Sequence, residues 1–366
     1  MKVVFFGTQP YDRESFDTIN NNGVYGFDIV YHHSHLTPDN AVLARGAEAV
    51  CIFVNDTADA VAIRRLADEG VRLIALRCAG FNNVDLKVAA ACGIGVVRVP
   101  AYSPHAVAEH AVALLLALDR KVHRAYWRTR DGNFSLHGLL GFDLYGKTAG
   151  VVGTGRIARA LIGILKGFGM EVLAYDICPD EEYARTAGIT YVTLDELYRR
   201  SDVISLHCPL TEQTRYMINA DSIARMKPGV VLLNTGRGQL IHTEALIEGL
   251  KQRRIGAAGL DVYEEEAAYF YEDTSDRIMS DDVLARLLSF NNVLVTSHQG
   301  FFTREAVDNI ARTTMQNIIF RNRVPRGSST VAPALMTLPS ASSSWGKIQP
   351  TMEPRIMAPS MTARNA

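Results

Sequence analysis

Cysteine is scarce in this chain, and its few copies follow no recognisable pattern. The number is odd and no two of them form a CxxC pair: Cys51, Cys78, Cys92, Cys178 and Cys208. This spacing fits neither a disulfide framework nor a cysteine zinc site. It is typical of a reducing compartment, so we expect a cytoplasmic protein without a bound metal.

Long apolar runs and an excess of charge of either sign are also lacking. No uninterrupted apolar stretch approaches the roughly 18 residues that a membrane-spanning helix needs. The 38 lysines and arginines nearly balance the 39 aspartates and glutamates. Because such a balance creates no broad electrostatic field, we expect neither a nucleic acid nor a membrane as a partner. The N-terminal residues turn acidic and polar too early for a signal peptide.

The sequence instead alternates short β-rich runs with helical segments, as parallel sheets covered by helices do. The runs are continuously apolar, which is typical of strands buried on both faces. A first series predicts strands at 2–6, 27–31, 49–54, 73–76 and 95–99. A second series predicts strands at 148–153, 171–176, 202–207, 229–234, 257–262 and 292–297. Because 366 residues exceed the usual size of one core, we expect two α/β domains.

A long apolar helix is predicted between the two series. Ser103 suits its N-cap and Pro104 its first turn, and the helical pattern continues to Arg130. Its apolar surface near 111–118 is wider than one core face requires, so it either crosses between domains or enters a subunit interface. From residue 326 to 366 the chain is rich in Ser, Pro, Ala and Met without periodicity, which predicts a disordered tail.

A glycine-rich turn indicates a dinucleotide site. The segment GTGRIA at 153–158 follows an apolar strand and opens a helix. Gly153 permits the tight turn, Gly155 lets the backbone approach a pyrophosphate, and Ala158 allows close helix–strand packing. Asp176, at the end of the next strand, suits the adenosine ribose and repels a 2′-phosphate. NAD is therefore predicted over NADP.

Three residues that suit acid–base chemistry on a carbonyl follow late strands of the second series. They are Arg237 in NTGRGQLI, Glu266 in GLDVYEEE and His298 in VTSHQGF. Since ligands bind at the carboxyl ends of parallel strands, we expect these side chains at one edge. Histidine can donate a proton near neutral pH, a neighbouring carboxylate can orient it, and arginine can hold a substrate carboxylate by two hydrogen bonds.

Seven segments together resemble the D-isomer-specific 2-hydroxyacid dehydrogenases: RCAGFNNVDL, VPAYSPHAVAEHA, GKTAGVVGTGRIA, SDVISLHCPLT, NTGRGQLIHT, GLDVYEEE and TSHQGFFTREA. The resemblance implies an α/β protein with two doubly wound parallel-sheet domains and the active site in the cleft between them. Residues 1–102 and 300–325 would form a flavodoxin-like substrate domain, and residues 103–299 a Rossmann NAD-binding domain. It also implies a homodimer or homotetramer through the helix 103–125.

The resemblance assigns roles to individual residues. The family's catalytic arginine, glutamate and histidine match Arg237, Glu266 and His298. The implied substrate contacts are Ala79, Gly80, Tyr102 and Phe301. The implied cofactor contacts are Gly153, Gly155, Arg156, Ile157, Asp176, Cys208, Pro209, Thr235 and Asp261, with Asp261 at the nicotinamide carboxamide. The implied reaction is reversible reduction of a small 2-keto acid by NADH, with pyruvate and D-lactate as the expected pair.

The sequence leaves alternatives open for the substrate and for the class of function. The substrate is open between pyruvate and other 2-keto acids, such as glyoxylate, hydroxypyruvate or branched-chain species. A non-catalytic NAD(H)-sensing module is the alternative from another class, although a sensor has no need of a paired acid. Phe53 is expected to join Tyr102 and Phe301 around the carbon beyond the keto group. The pair Glu109-His110 is interpreted as helix packing, and the segment 263–276 as a mostly solvated loop.

Overall fold

The computed structural model describes residues 1–21, 23–266, 269–322 and 335–336, and the chain there forms two parallel sheets. The elements leading through the first sheet are β1 (Lys2–Phe5), α1 (Pro10–Asn20), β2 (Asp28–Tyr31), β3 (Ala49–Ile52), α2 (Ala60–Asp68), β4 (Leu73–Leu76), α3 (Leu86–Ala91) and β5 (Gly95–Arg98). Its strand order is β2-β1-β3-β4-β5, that of a flavodoxin-like doubly wound sheet.

The second sheet is built by a longer run of elements. They are α4 (Pro104–Arg120), α5 (Val122–Arg130), β6 (Thr148–Val152), α6 (Arg156–Gly167), β7 (Glu171–Tyr175), α7 (Glu181–Ala187), β8 (Thr190–Tyr191), α8 (Leu194–Arg200), β9 (Val203–Leu206), α9 (Ala220–Arg225), β10 (Val230–Asn234), α10 (Thr243–Lys251), β11 (Ile255–Leu260), α11 (Asp282–Leu288) and β12 (Val293–Val295). The order β8-β7-β6-β9-β10-β11-β12 reverses direction at β6, as in a Rossmann fold.

The chain then returns to the first sheet. Helix α12 (Arg304–Asn322) buries Ala311, Met315 and Ile318 in one cluster with residues of β1, β3, β4 and β5. The side-chain Nδ2 of Asn317 donates to the carbonyl of Arg98 at 2.9 Å, which holds α12 at the end of β5. The polypeptide therefore passes between the two sheets twice, and the site lies where it crosses.

The fold class predicted from the sequence is confirmed, but the long helix was wrong as one element. Helix α4 starts as expected, with Ser103 Oγ accepting from the amide of Ala106 at 3.2 Å. It ends at Arg120, and the left-handed Lys121, with φ of 50°, separates it from α5. The apolar surface of α4 is buried within the chain, by packing of Leu114, Leu115 and Leu118 against the second sheet and α6. The structure thus explains that surface without a subunit interface.

Two other features differ from the sequence pattern. Strand β8 was not predicted, because two residues are too few to show a periodicity. The expected tail at 326–366 lies outside the described residues, except for the two-residue strand β13 (Leu335–Met336), which pairs with Val96 and Val97 of β5. No helix of the described chain combines the length and the hydropathy that a membrane crossing requires.

Candidate active site

A cleft of about 490 Å³ opens between the two sheets at the carboxyl ends of their strands. The first domain lines it with residues that follow β3, β4 and β5, and the second with residues that follow β9, β10, β11 and β12. Parallel strands present their carboxyl ends at one edge, which is where α/β folds bind ligands. Neither sheet alone forms this cleft.

Arg237, Glu266 and His298, which the sequence predicts to act on a carbonyl substrate, lie together at this cleft. Nδ1 of His298 lies 2.8 Å from Oε1 of Glu266. The other carboxylate oxygen of Glu266 accepts from the amide of Tyr263 at 3.0 Å, so the carboxylate is fixed by its own loop. Arg237 lines the same cleft, and a Cβ added at Gly80 would lie 2.6 Å from its Nη2. Glycine at position 80 therefore permits the guanidinium to approach the loop after β4.

The backbone of His298 adopts a left-handed conformation with φ of 52°, which is uncommon for a residue with a side chain. Its amide donates to the carbonyl of Asp261 at 2.7 Å. The next two amides, those of Gln299 and Gly300, both donate to the Asp261 carboxylate at 2.8 Å. The loop that carries His298 is thus held by one buried residue at the end of β11.

The carboxylate of Asp261 is also contacted by Thr296 and by His110 of α4. Oγ1 of Thr296 donates to its carboxylate at 2.6 Å, and Nε2 of His110 lies 3.2 Å away. Burial would raise the pKa of Asp261, but the hydrogen bonds from His110 and Thr296 outweigh it and lower that pKa. Interpreting His110 as helix packing therefore missed its contact with the active-site anchor. A histidine on the buried face of an apolar helix was the available signal.

The predicted substrate-contact residues lie on the first-domain side of the cleft. The loop Ala79–Gly80 follows β4, and Nη1 of Arg98 donates to the carbonyl of Ala79 at 2.6 Å. The rings of Tyr102 and Phe301 have centroids 6.1 Å apart, and those of Phe53 and Phe301 are 5.9 Å apart. The three rings predicted to converge therefore line one cleft. Burial raises the pKa of Tyr102 to about 12, so its hydroxyl is neutral at physiological pH.

A fourth ring, that of Tyr271, also lines the cleft and was not predicted. It lies 5.2 Å from the ring of Phe53 and 6.1 Å from that of His298. The segment around it was expected to be mostly solvated, yet Phe270 is buried. The run of aromatic residues 269–271 inside an acidic segment was the signal that could have indicated burial.

The glycine-rich turn has the geometry that a pyrophosphate needs. Gly153 has φ of 88°, and a Cβ there would lie 2.8 Å from the backbone of His207 and Cys208. Gly155 is the N-cap of α6, provides no side chain to cap its amides, and has open space where a Cβ would lie. Ala158 is fully buried in the core of the second domain. Free amides at a helix N-terminus are a ready anion site.

Asp176 is held at the end of β7 beside this turn. Its carboxylate accepts from the amide and the hydroxyl of Thr154 at 2.7 and 2.9 Å and from the amide of Cys178 at 3.0 Å. Burial acts to raise the pKa of Asp176, but these hydrogen bonds outweigh it and lower that pKa. The next residue, Ile177, is exposed and provides no cation for a 2′-phosphate.

The remaining predicted cofactor contacts lie along the same cleft and beside α6. Ile157, Cys208, Pro209, Thr235 and Asp261 line the cleft, and Arg156 lies on the adjoining surface with Gly155 and Ile157. Oγ1 of Thr235 is buried and has no hydrogen-bond partner among the described residues. These features fit a dinucleotide that extends from the turn to His298.

A second histidine in the cleft, His207, has a different environment. Its Nε2 lies 2.8 Å from Oγ of Ser205. Burial lowers the pKa of His207 to about 4, so the ring is neutral at physiological pH. Within the described ranges, no group of three or more His, Cys, Asp or Glu residues is arranged to hold a metal ion.

Comparison with known proteins finds relatives whose names agree with the chemistry of the cleft. Residues 112–300 match the family model described as D-isomer specific 2-hydroxyacid dehydrogenase, NAD binding domain. The D-lactate dehydrogenase of Escherichia coli is 50% identical over 318 residues, which cover 87% of this chain and 96% of that protein. A 2-hydroxyacid dehydrogenase homolog of Haemophilus influenzae is 52% identical, with 87% and 95% covered. The solved pyruvate reductase of Chlamydomonas reinhardtii superposes with a TM-score of 0.83 at 46% identity, covering 89% of this chain and 98% of that one.

The Asp176 geometry predicts a preference for NADH over NADPH. A carboxylate fixed beside the ribose repels a 2′-phosphate, so NADH should bind at least about tenfold more tightly. The double variant Asp176→Ser, Ile177→Arg should narrow that difference, as measured by fluorescence titration with both cofactors. Cys178→Ser is the matched control, because only the backbone amide of that residue bonds Asp176. Equal Kd values for the two cofactors in the unmodified protein contradict the assignment.

Proposed function

The chain belongs to the D-isomer-specific 2-hydroxyacid dehydrogenases, and on that basis we propose that it is an NAD-dependent D-lactate dehydrogenase interconverting pyruvate and D-lactate. One observation carries the proposal. The His298–Glu266 pair, with 2.8 Å between ring nitrogen and carboxylate, shares a cleft with Arg237 and with the loop after β4. This arrangement provides a proton donor and a carboxylate-binding group on either side of a small substrate.

We assign substrate binding to three residues. The backbone amides of Ala79 and Gly80 bind the substrate carboxylate, and the guanidinium of Arg237 holds the same group and polarises the neighbouring keto oxygen. The close approach of Arg237 to Gly80 supports a shared ligand. Holding the substrate at two points orients its keto carbon, which lowers the entropic part of the barrier.

His298 is assigned as the general acid and base. Nδ1 is paired with Glu266, which leaves Nε2 to give a proton to the keto oxygen and to take it back in lactate oxidation. Glu266 fixes the tautomer and the orientation of the ring. NADH, when bound beside these residues, would supply the hydride for the reduction. Gly153, Gly155, Arg156, Ile157, Asp176, Cys208, Pro209, Thr235 and Asp261 are the residues that we propose hold it.

The aromatic lining supports a small 2-keto acid. Phe53, Tyr102 and Phe301 pack against one another, so the volume beyond the keto group is confined by rings. A larger or branched 2-keto acid remains the alternative substrate. A non-catalytic NAD(H) sensor is the alternative from another class, and the complete His298–Glu266–Arg237 set argues against it.

We also propose a homodimer or homotetramer, and we move its interface from α4 to the segment 122–145. That segment exposes eight large apolar side chains within 24 residues: Val122, Tyr126, Trp127, Phe134, Leu136, Leu140, Phe142 and Tyr145. Monomeric proteins rarely expose so many together, and a second copy would cover them.

The balanced charge and the scattered cysteines support a cytoplasmic location for the assembly.

Replacing the proposed acid tests the mechanism. His298→Gln should lower kcat for pyruvate by about 100-fold or more, the range expected on losing acid–base assistance. NADH affinity should stay nearly unchanged, because the ring is not assigned to cofactor binding. The exposed His33 gives a control, and His33→Gln should keep full activity. Near-normal kcat in His298→Gln shows that another group donates the proton.

A panel of 2-keto acids with NADH, with chiral analysis of the products, tests substrate and stereochemistry. Pyruvate should exceed 2-ketobutyrate modestly and 2-ketoisocaproate by about 100-fold in kcat/KM, since overlap with the rings excludes longer chains. Phe301→Ala should shift the preference towards longer acids. Phe302→Leu should not, because Phe302 lies outside the cleft lining and leucine keeps an apolar side chain against Tyr11 and Phe301. Equal use of 2-ketoisocaproate and pyruvate favours the larger-substrate alternative, and L-lactate as product refutes the D assignment.

The interface proposal predicts a change of mass on disrupting the segment 122–145. Trp127→Ser combined with Leu136→Ser should shift the protein to monomers, because both side chains are more than half exposed in a single chain. Light scattering after gel filtration measures the mass. Ile278→Ser removes an exposed apolar side chain elsewhere and should leave the assembly intact. A monomeric unmodified protein rules the interface out.

A further inference from the structure

We propose that Tyr271 is a specificity-determining and positioning residue. Its ring limits the length of the substrate, and its hydroxyl holds the peptide of His298 in place. The proposal deepens the function proposed above and rests on it. Tyr271 belongs to the segment 263–281 that follows β11, of which residues 263–266 and 269–281 are described.

Residues 270–272 of this segment lie against the first domain. Nδ2 of Asn55 donates to the carbonyl of Phe270 at 3.1 Å, and Nε2 of Gln9 donates to the carbonyl of Tyr271 at 3.4 Å. Nε2 of His35 lies 3.4 Å from a carboxylate oxygen of Glu272. Three consecutive residues of the segment therefore contact three separate loops of the first domain.

The same segment is anchored in the second domain. Phe270 is buried in a cluster with Tyr263 and Leu284, and the hydroxyl of Tyr263 donates to Asp281 at 2.8 Å. Tyr271 itself has φ of 70°, a costly conformation for a bulky aromatic residue. Such strain persists where surrounding contacts over-determine the position, and it is found preferentially at functional sites. The contacts on both sides of the cleft supply that constraint.

The hydroxyl of Tyr271 donates to the carbonyl of His298 at 3.0 Å. The backbone amide of His298 donates to the carbonyl of Asp261. Both the backbone amide and the backbone carbonyl of this left-handed residue are therefore held by other parts of the chain. Burial and the neighbouring Glu266 raise the pKa of Tyr271 well above its usual value, so the hydroxyl remains a donor. Losing this bond frees the carbonyl side of His298 and loosens the alignment of Nδ1 with Glu266.

The ring of Tyr271 completes a row of aromatic side chains along the pocket. The row runs Tyr102, Phe301, Phe53 and Tyr271, with centroid separations of 6.1, 5.9 and 5.2 Å, and ends at the imidazole of His298. Tyr271 is the member of this row that lies on the segment from the second sheet. The space beyond the keto carbon is therefore bounded from both domains.

Two substitutions separate the two roles. Tyr271→Phe keeps the ring and removes the hydroxyl, so kcat for pyruvate should fall about threefold to tenfold while the order of preference among 2-keto acids stays the same. Tyr271→Leu removes the ring, so the kcat/KM ratio of 2-ketoisocaproate to pyruvate should rise by at least about tenfold. If Tyr271→Leu does not fold, Tyr271→Asn serves instead, because asparagine tolerates the left-handed backbone.

Tyr269→Phe is the matched control. Tyr269 lies in the same segment, and its hydroxyl pairs with Oγ of Ser280 rather than with the site. Activities are expressed per NADH-binding site, counted by fluorescence titration, so that a loss of folded protein does not mimic a loss of kcat. In the cofactor-free protein, the NMR signals of the His298 imidazole should move in Tyr271→Phe and not in Tyr269→Phe.

The outcomes distinguish a failure of the role proposed for Tyr271 from a failure of the proposed dehydrogenase activity. Unmodified protein that reduces no 2-keto acid refutes the proposed function. If the unmodified protein is active, a Tyr271→Phe variant indistinguishable from Tyr269→Phe in kcat and imidazole signals overturns the positioning role. An unchanged preference in Tyr271→Leu, or in Tyr271→Asn where that replaces it, overturns the role in specificity.

Discussion

The buried carboxylate of Asp261 is the constraint on which the geometry of the proposed active site depends. It is 1% exposed and accepts hydrogen bonds from Thr296, Gln299 and Gly300. Leaving one such donor buried and unpaired costs about 1–3 kcal/mol, so the loop has no inexpensive alternative geometry. The left-handed backbone of His298 is maintained by this anchor. The carboxylate is already engaged by the chain's own donors, which gives Asp261 a role in addition to the cofactor contact proposed for it.

The anchor matters because the site is assembled from two domains. Ala79, Gly80 and Tyr102 follow strands of the first sheet, whereas Arg237 and His298 follow strands of the second. Their relative positions depend on packing between the two domains, to which the carbonyls of Phe270 and Tyr271 contribute by accepting hydrogen bonds from Asn55 and Gln9 of the first domain. A change in that packing alters the pocket size and the approach of Arg237 together, even where no substrate contact is replaced. Selectivity and rate are coupled by this architecture.

Local signals explain what could be read from the sequence. Strands such as β4 and β7 were predicted to within one residue, because a buried strand is a short apolar run bounded by turns. The turn at Gly153 carries its chemistry in adjacent residues. The left-handed break at Lys121, the contact of His110 with Thr296 and the place of Tyr271 were missed. The contacts of His110 and Tyr271 each join residues far apart in the sequence. The break at Lys121 is not marked by any interruption of the helical pattern.

The choice among three histidines near the cleft shows how environment decides chemistry. His207 is hydrogen-bonded to Ser205, and burial lowers its pKa to about 4, so at physiological pH it is not the imidazolium that acts as an acid. Nε2 of His110 lies 3.2 Å from the carboxylate of Asp261, so its ring supports that anchor. The side chain of His298 is about as exposed as that of His110, but His298 lines the cleft and Glu266 lines the adjoining surface, whereas His110 lines neither. Of the three, only His298 combines access to substrate with a carboxylate that fixes its tautomer, and this combination is what proton transfer to a bound keto acid requires.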